Sequence, residues 1–337
     1  MHKHDHGFIT SIIANDDAPS QGLTWILYRA CHKGNQLAKQ THQRIPFDTR
    51  VGNFACFLEG GNDGGDFSGT GFLYEPGARL TPVDDRSAPD LWKSDGLYVV
   101  TNRHVVFDLS EDEKRPSEFF INIRTRDDST GLWEWQELKL SDDEIDNSIY
   151  VHDDPDIDVA VIDISARKKE VPKGLTIKSE DLIHQHKIAR VECADDVIAI
   201  GFPRGFYDQM NHFPIVKRGI IASEWGANFE GEPFFLIDAK LFPGSSGSAV
   251  MTKPADHMIV DGNQYESKSG KQSVLLGVYS GEPYLGDETS PEYVDVGIVW
   301  YSKNISEIIA SKTAWDPSVK PTVAIGSCKL PRRRKKT

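Results

Sequence analysis

Short runs rich in Val, Ile, Phe and Tyr recur along this chain, each bounded by Gly, Pro, Asp or Asn. NFACFLEG, GTGFLYE, LYVVTNRHVV, EFFINIRTR, DVAVIDI, DVIAIGFP, PIVKRGIIAS, PFFLIDAKLF, SVLLGVYSG and VDVGIVWYS are ten of them. Runs of this length and composition, with turn chemistry between them, read as strands. So many strands need a way to hide their edges, and closed barrels provide one. The expected fold is therefore all-β. One helix is expected after the last strand, in SKNISEIIASKTA, with Ser302 or Asn304 as N-cap and Ile305, Ile308 and Ile309 on one face.

The strands fall into two groups, one from about Val51 to Ser165 and one from about Arg190 to Ser302. The expected organisation is an extension over 1–48, a main domain over 49–312 and a tail over 313–337. Within the main domain the first barrel spans about 49–168, the second about 188–302, and the helix about 303–312. The charged stretch ARKKEVPKGLTIKSEDLIHQHK reads as a connector between the barrels. GLTWILYRACHKGNQLAKQ, in the extension, reads as a short helix. GGNDGGDFSGTG reads as a long hairpin loop ahead of a strand at Gly71; it has no Gly-Lys-Ser/Thr and so is not a phosphate loop.

A chain of 337 residues can bury a sizeable core without disulfide staples. Cys31, Cys56, Cys193 and Cys328 are scattered, which argues against both a disulfide framework and a zinc site. The apolar patch near Ile9 is too short for a signal peptide, and no run approaches a membrane span. The expectation is a cytoplasmic protein with no membrane partner. The net charge of -13 argues against nucleic acid as the main partner. The basic end Arg332–Lys336 is the exception; it reads as a solvated tail, with nucleic acid or an acidic partner as the alternative. No metal or other cofactor is expected. Asp154, Asp156 and Asp158 have calcium-loop spacing, but Val159 stands where that loop needs glycine. His2, His4 and His6 alternate at the N-terminus, and His184 and His186 lack further ligands.

Three segments answer one another. LFPGSSGSAV places Ser246 between glycines. YVVTNRHVV places His104 just after a strand. DIDVAVIDI opens an apolar strand with Asp158, and a buried acid there needs a partner. A serine hydroxyl needs a base to become a nucleophile, and the base needs an acid to fix its tautomer. The N–H groups of Gly244 and Ser246 can converge on a developing oxyanion. The chain order His, Asp, Ser differs from that of the α/β-hydrolases and the subtilisins. His104 and Asp158 also fall in the first strand group and Ser246 in the second, as a site between two barrels requires.

These residues resemble the trypsin-like serine peptidases, most of all the bacterial HtrA-like branch. The resemblance runs in order from about Val51 to Ile309, through SGTGFLY, YVVTNRHVV, DIDVAVIDI, VIAIGFPRG, FFLIDAKLFPGSSGSAV, LLGVYSG and VDVGIVWYSKNISEII. It implies two six-stranded antiparallel β-barrels of the chymotrypsin type with a short C-terminal helix. It implies a serine endopeptidase acting on protein or peptide substrates. Ser246 would be nucleophile, His104 general base, Asp158 the orienting acid, and Gly244 and Ser246 the oxyanion hole. Ser280 and Gly281 would pair with the substrate backbone, Lys240 would lie at the floor of the primary pocket, and Gly297 would keep its wall open. A Lys240 ammonium facing the pocket favours acidic P1 side chains; turned to solvent, it leaves a small apolar pocket.

The chain also departs from the family. Ser245 replaces the aspartate that receives a new N-terminus in secreted members. Ser248 and Ala249 replace the usual Gly and Pro after the nucleophile. Val105 stands where a cysteine commonly follows the histidine. The 25 residues after the helix leave no room for a PDZ domain. Two other readings stay open. One is a catalytically silent homologue that binds peptides in the same cleft; the other is a protease assembled by an activating partner.

Overall fold

The computed structural model describes residues 47–321 except 63–64, 77–95, 108–114, 173–175, 179–190, 256, 261–262, 267–270, 272 and 288–289. The expected helix of the N-terminal extension, Cys31, Cys328, the histidines at 2, 4, 6, 184 and 186, and the basic end lie outside the described residues. Helix α1 (Phe47–Phe54) leads into strands β1 (Ala55–Asn62), β2 (Gly65–Glu75) and β3 (Tyr98–Thr101). Helix α2 (Arg103–Val106) follows, then β4 (Glu118–Arg126), β5 (Trp133–Lys139), helix α3 (Asp142–Asn147), β6 (Ile149–Val151), β7 (Ala160–Asp163) and β8 (Ile177–Lys178). The second half holds β9 (Asp196–Gly201), β10 (Ile215–Ile221), β11 (Phe234–Asp238), β12 (Ala249–Thr252), β13 (His257–Val260), β14 (Asn263–Glu266), β15 (Leu275–Gly281), β16 (Tyr284–Asp287), β17 (Ser290–Tyr293) and β18 (Gly297–Tyr301). Helix α4 (Lys303–Ser311) ends it.

The all-β fold with two strand groups is as expected. The second group closes into a six-stranded barrel in the order β10-β11-β18-β15-β12-β9. The first group is an eight-stranded sheet, β5-β4-β1-β2-β3-β7-β6, with β8 added against β2. The supposed connector therefore contributes structure: β8 pairs in parallel with β2 through Tyr74 and Ile177, and Ile177 is buried. The glycine-rich stretch is not a long loop either. Pairing of β1 with β2 continues out to Asn62 and Gly65, because the ladder uses backbone N–H and C=O groups, which these residues supply as any other non-proline residue does.

The strands are apolar on both faces because both faces are covered. In β3, Val99 belongs to the interior of the first group. Its neighbours Tyr98 and Val100 face the layer shared by the two groups. In β9, Val197 and Ala199 fill the second barrel, while Ile198 and Ile200 join the shared layer. Period-two alternation thus sends successive side chains to two different cores. Helix α4 closes the shared layer with Ile305, Ile308 and Ile309; Ser302 is its N-cap residue, without a side-chain cap bond. Among the described residues, no helix is long and apolar enough to cross a membrane. Cys56 is buried and Cys193 exposed, and both are free thiols.

Candidate active site

β3 ends at Thr101, and the chain turns through Asn102 into the short helix α2, which carries His104. Asn102 is fully buried and its Nδ2 donates to the Asp158 carbonyl at 2.6 Å. That bond fixes the chain ahead of β7 against the chain after β3. The Asp158 side chain, 0% exposed, then accepts two bonds from one residue. The backbone N–H of His104 donates to Oδ1 at 3.0 Å, and Nδ1 of the ring lies 2.6 Å from Oδ2. Ser280 Oγ also donates to Oδ2. A buried carboxylate needs such donors to remain charged away from water. The ring is thereby held by Nδ1, with Nε2 left to the cleft.

Ser246 comes from the turn between β11 and β12. Its Oγ donates to the Ser280 carbonyl at 2.8 Å. Gly244 and Gly247 flank it with φ of +85° each, a region that a Cβ disfavours. Space is also tight: a Cβ on Gly247 would lie 1.9 Å from the Thr70 carbonyl oxygen, and one on Gly244 would lie 2.8 Å from the Arg204 nitrogen. The N–H groups of Gly244 and Ser246 take no backbone partner among the described residues. The Pro243 carbonyl accepts a bond from the Arg204 N–H at 2.6 Å.

Thr70, on β2, joins the two halves. Its N–H donates to the Ser246 carbonyl at 2.9 Å. Its hydroxyl donates to the Gly244 carbonyl at 2.8 Å and accepts from the Phe202 N–H at 3.0 Å. Its carbonyl accepts from Thr101 Oγ1 at 2.7 Å. The nucleophile turn is thus pinned at two points to one residue of the other strand group, and the same hydroxyl also holds the turn after β9. Sequence reading passed over Thr70, although a threonine framed by glycines in SGTGF is the visible signal. The Ser280 side chain was not singled out either, and GFPRG was read as a turn without its bond to Pro243.

His104, Ser246, Gly244, Ser280 and Gly281 line one cleft of about 630 Å³ with Lys240, Glu282 and Asp295. Lys240 is exposed and lines the cleft. Burial and the nearby Asp295 raise the Glu282 carboxyl above its ordinary range, and Lys240 partly opposes them. The Lys240 charge thus acts on the Glu282 carboxyl. Gly297 stands behind the cleft wall: a Cβ there would meet the Tyr279 ring at 2.7 Å. Tyr279, 3% exposed, belongs to the second barrel's interior and lines the cleft. Burial, and secondarily Glu282, push its phenol up. Ser245 Oγ is buried and has no hydrogen-bond partner among the described residues. No group of three or more His, Cys, Asp or Glu side chains among the described residues could hold a metal ion.

A family model described as a trypsin-like peptidase domain matches residues 69–259. The chain belongs to the trypsin-like peptidase family. No curated protein matches the sequence. Among solved structures, the chain is similar to a serine endoprotease from Yersinia pestis at 16% identity, covering 81% of this chain and 67% of that one with a TM-score of 0.42. It is similar to the protease of tobacco vein mottling virus at 15% identity, covering 88% of this chain and 100% of that one with a TM-score of 0.42. It is also similar to the protease Anisep from Arthrobacter nicotinovorans at 11% identity, covering 77% of this chain and 94% of that one with a TM-score of 0.42. As a family member the chain is a serine endopeptidase.

Proposed function

We propose that this peptidase cuts peptide bonds through an acyl-enzyme on Ser246, with His104 as general base and Asp158 as the acid that orients it. The two-point hold of Asp158 on His104, through Nδ1 at 2.6 Å and the backbone N–H at 3.0 Å, carries the reading. It favours the tautomer in which Nδ1 bears the proton and Nε2 can accept one.

Substrate binding frees the nucleophile. Its amide N–H on the acyl side donates to the Ser280 carbonyl, which otherwise accepts from Ser246 Oγ at 2.8 Å. The released hydroxyl turns to His104 Nε2. Oγ attacks the scissile carbonyl carbon while its proton passes to Nε2. The carbonyl oxygen takes the negative charge and accepts from the N–H groups of Gly244 and Ser246. The proton then passes from Nε2 to the leaving amine as the C–N bond breaks. Water repeats the sequence on the ester and restores Ser246.

The test is labelling with a fluorescent fluorophosphonate, comparing wild type with Ser246→Ala and His104→Ala. Labelling of the wild type alone is the expected result. A folded wild type that stays unlabelled, alone and in host extract, would sink the catalytic reading and leave the silent peptide-binding homologue. Labelling only in extract would identify the partner-activated form.

A further inference from the structure

Beside the cleft lies a second groove of about 840 Å³. Phe242 belongs to the walls of both, so one extended chain can run from one into the other. The second groove is built on the strand β10 and the turn after β9. Its apolar surface is unusually open: Phe206 is 68% exposed, Val216 42% and Phe242 36%. Open apolar surface of this kind marks contact sites.

Its charge is equally distinct. The Lys217 ammonium sits 4.8 Å from the Phe242 ring centre and the Arg204 guanidinium 5.5 Å from it. Neither cation has a carboxylate within ion-pair distance among the described residues, whereas Arg218 on the same strand is paired with Asp196. Two cations stacked on one exposed ring, in a chain of net charge -13, form a local positive site that is not neutralised from within. A ring between cations also offers an apolar face beside the charge.

The backbone supplies a third element. β10 pairs with β9 from Ile215 to Ile220, but with β11 only at Ile220 and Ile221. The stretch Ile215–Gly219 therefore has one edge without a strand partner among the described residues. An open edge takes an extended peptide by main-chain hydrogen bonds, and pockets beside it choose the side chains.

We propose that this groove is an exosite that takes an extended acidic segment of the protein substrate, outside the bond that is cut. The acidic side chain meets Lys217 and Arg204, a neighbouring apolar residue meets Phe206 and Phe242, and the segment's backbone adds to β10. Nucleic acid fits less well. A sugar–phosphate backbone lacks the alternating N–H and C=O groups that a strand edge pairs with. The proposal rests on the catalytic reading only for the identity of the occupant as substrate.

The test uses the full-length Ser246→Ala protein and two fluorescent peptides that differ only in Glu against Lys at the same positions, read by anisotropy. The acidic peptide is expected to bind about tenfold more tightly, with the difference shrinking in high salt. Lys217→Glu should abolish the preference; Lys217→Gln, which keeps most of the stem, should weaken it and serves if Lys217→Glu does not fold. Equal binding of the two peptides, retention of the preference by both variants, or displacement by a single-stranded oligonucleotide but not by unlabelled acidic peptide would overturn the exosite. Binding here is read without turnover. A selective groove on a protein that fluorophosphonate labels neither alone nor in host extract would therefore keep the exosite and reject the catalytic reading, and the reverse pattern would do the opposite.

Discussion

The backbone N–H of Arg204 donates to the carbonyl of Pro243 at 2.6 Å. In a trans peptide the carbonyl and the following N–H point in opposite directions. Holding the Pro243 carbonyl on the Arg204 side therefore aims the Gly244 N–H the other way, as the proposed oxyanion hole requires. Arg204 does this with a φ of +53°, uncommon for a residue with a side chain.

Arg204→Pro removes the donor and forbids that φ. On a short peptide that ends before the second groove, kcat should fall about 100-fold, as for loss of one oxyanion donor, with little change in KM. Arg204→Gly keeps the N–H and accepts the φ, so it should recover most of kcat. Equal losses in both variants would show that the side chain, not the backbone bond, matters.

Thr70→Val removes one hydroxyl and leaves the Phe202 N–H and the Gly244 carbonyl without that partner. Buried groups left unpaired cost about 1–3 kcal/mol each. The variant should melt several degrees lower and turn over more slowly, while Thr70→Ser should stay near wild type in both. Thermal melts and steady-state kinetics read the two effects separately.

Arg103, beside His104 in the chain, is buried and ties the site to the C-terminal segment. Its Nη1 donates to the Pro155 carbonyl at 3.2 Å and its Nη2 to the Val319 carbonyl at 2.9 Å. Trp315 stacks on Phe107 at 4.4 Å between ring centres. Deleting residues 313–337 should therefore speed hydrogen exchange at the amides of α2 and lower kcat. Exchange at β9, in the second strand group, should be unchanged; a uniform increase would mean global destabilisation instead.

Tyr279, which lines the cleft with Ser246, occupies the space that Gly297 leaves. Wild type should prefer peptides with Ala or Val at P1. Tyr279→Ala should raise kcat/KM for Leu or Phe at P1 relative to Ala by about tenfold or more, the scale at which pockets discriminate size. An unchanged ranking across a P1 series would place the pocket elsewhere.

Glu282 titrates above the ordinary carboxylate range because of burial and Asp295, with Lys240 opposing. Below its raised pKa the carboxyl is neutral; above it, the cleft mouth gains one negative charge. KM for a peptide with a lysine near P1 should therefore fall as pH rises through that range. Glu282→Gln should flatten the step, and Lys240→Met should move it to higher pH, since the cation that lowers the pKa is gone. A KM profile that Glu282→Gln leaves unaltered would refute the assignment.

The strand runs, their two groups and the order His104, Asp158, Ser246 could be read from the chain itself. Period-two apolar patterning and turn residues act over a few positions, so they are visible locally. The helix with Ile305, Ile308 and Ile309 was legible for the same reason. β8 was not, because two residues in a charged stretch carry no pattern; only the edge offered by β2 makes them a strand. Nor did the glycines of GGNDGG reveal that pairing continues to Asn62, since a ladder depends on the opposing strand. The chemistry of Ser246 was written in its neighbours, but its restraint by Thr70 and the pinning of Pro243 by Arg204 join residues far apart in the chain. The same holds for Tyr279 against Gly297, Glu282 between Asp295 and Lys240, and the cations around Phe242. Hydrogen bonds, close packing and charge all fall off within a few ångströms, so only the folded arrangement decides which residues feel them.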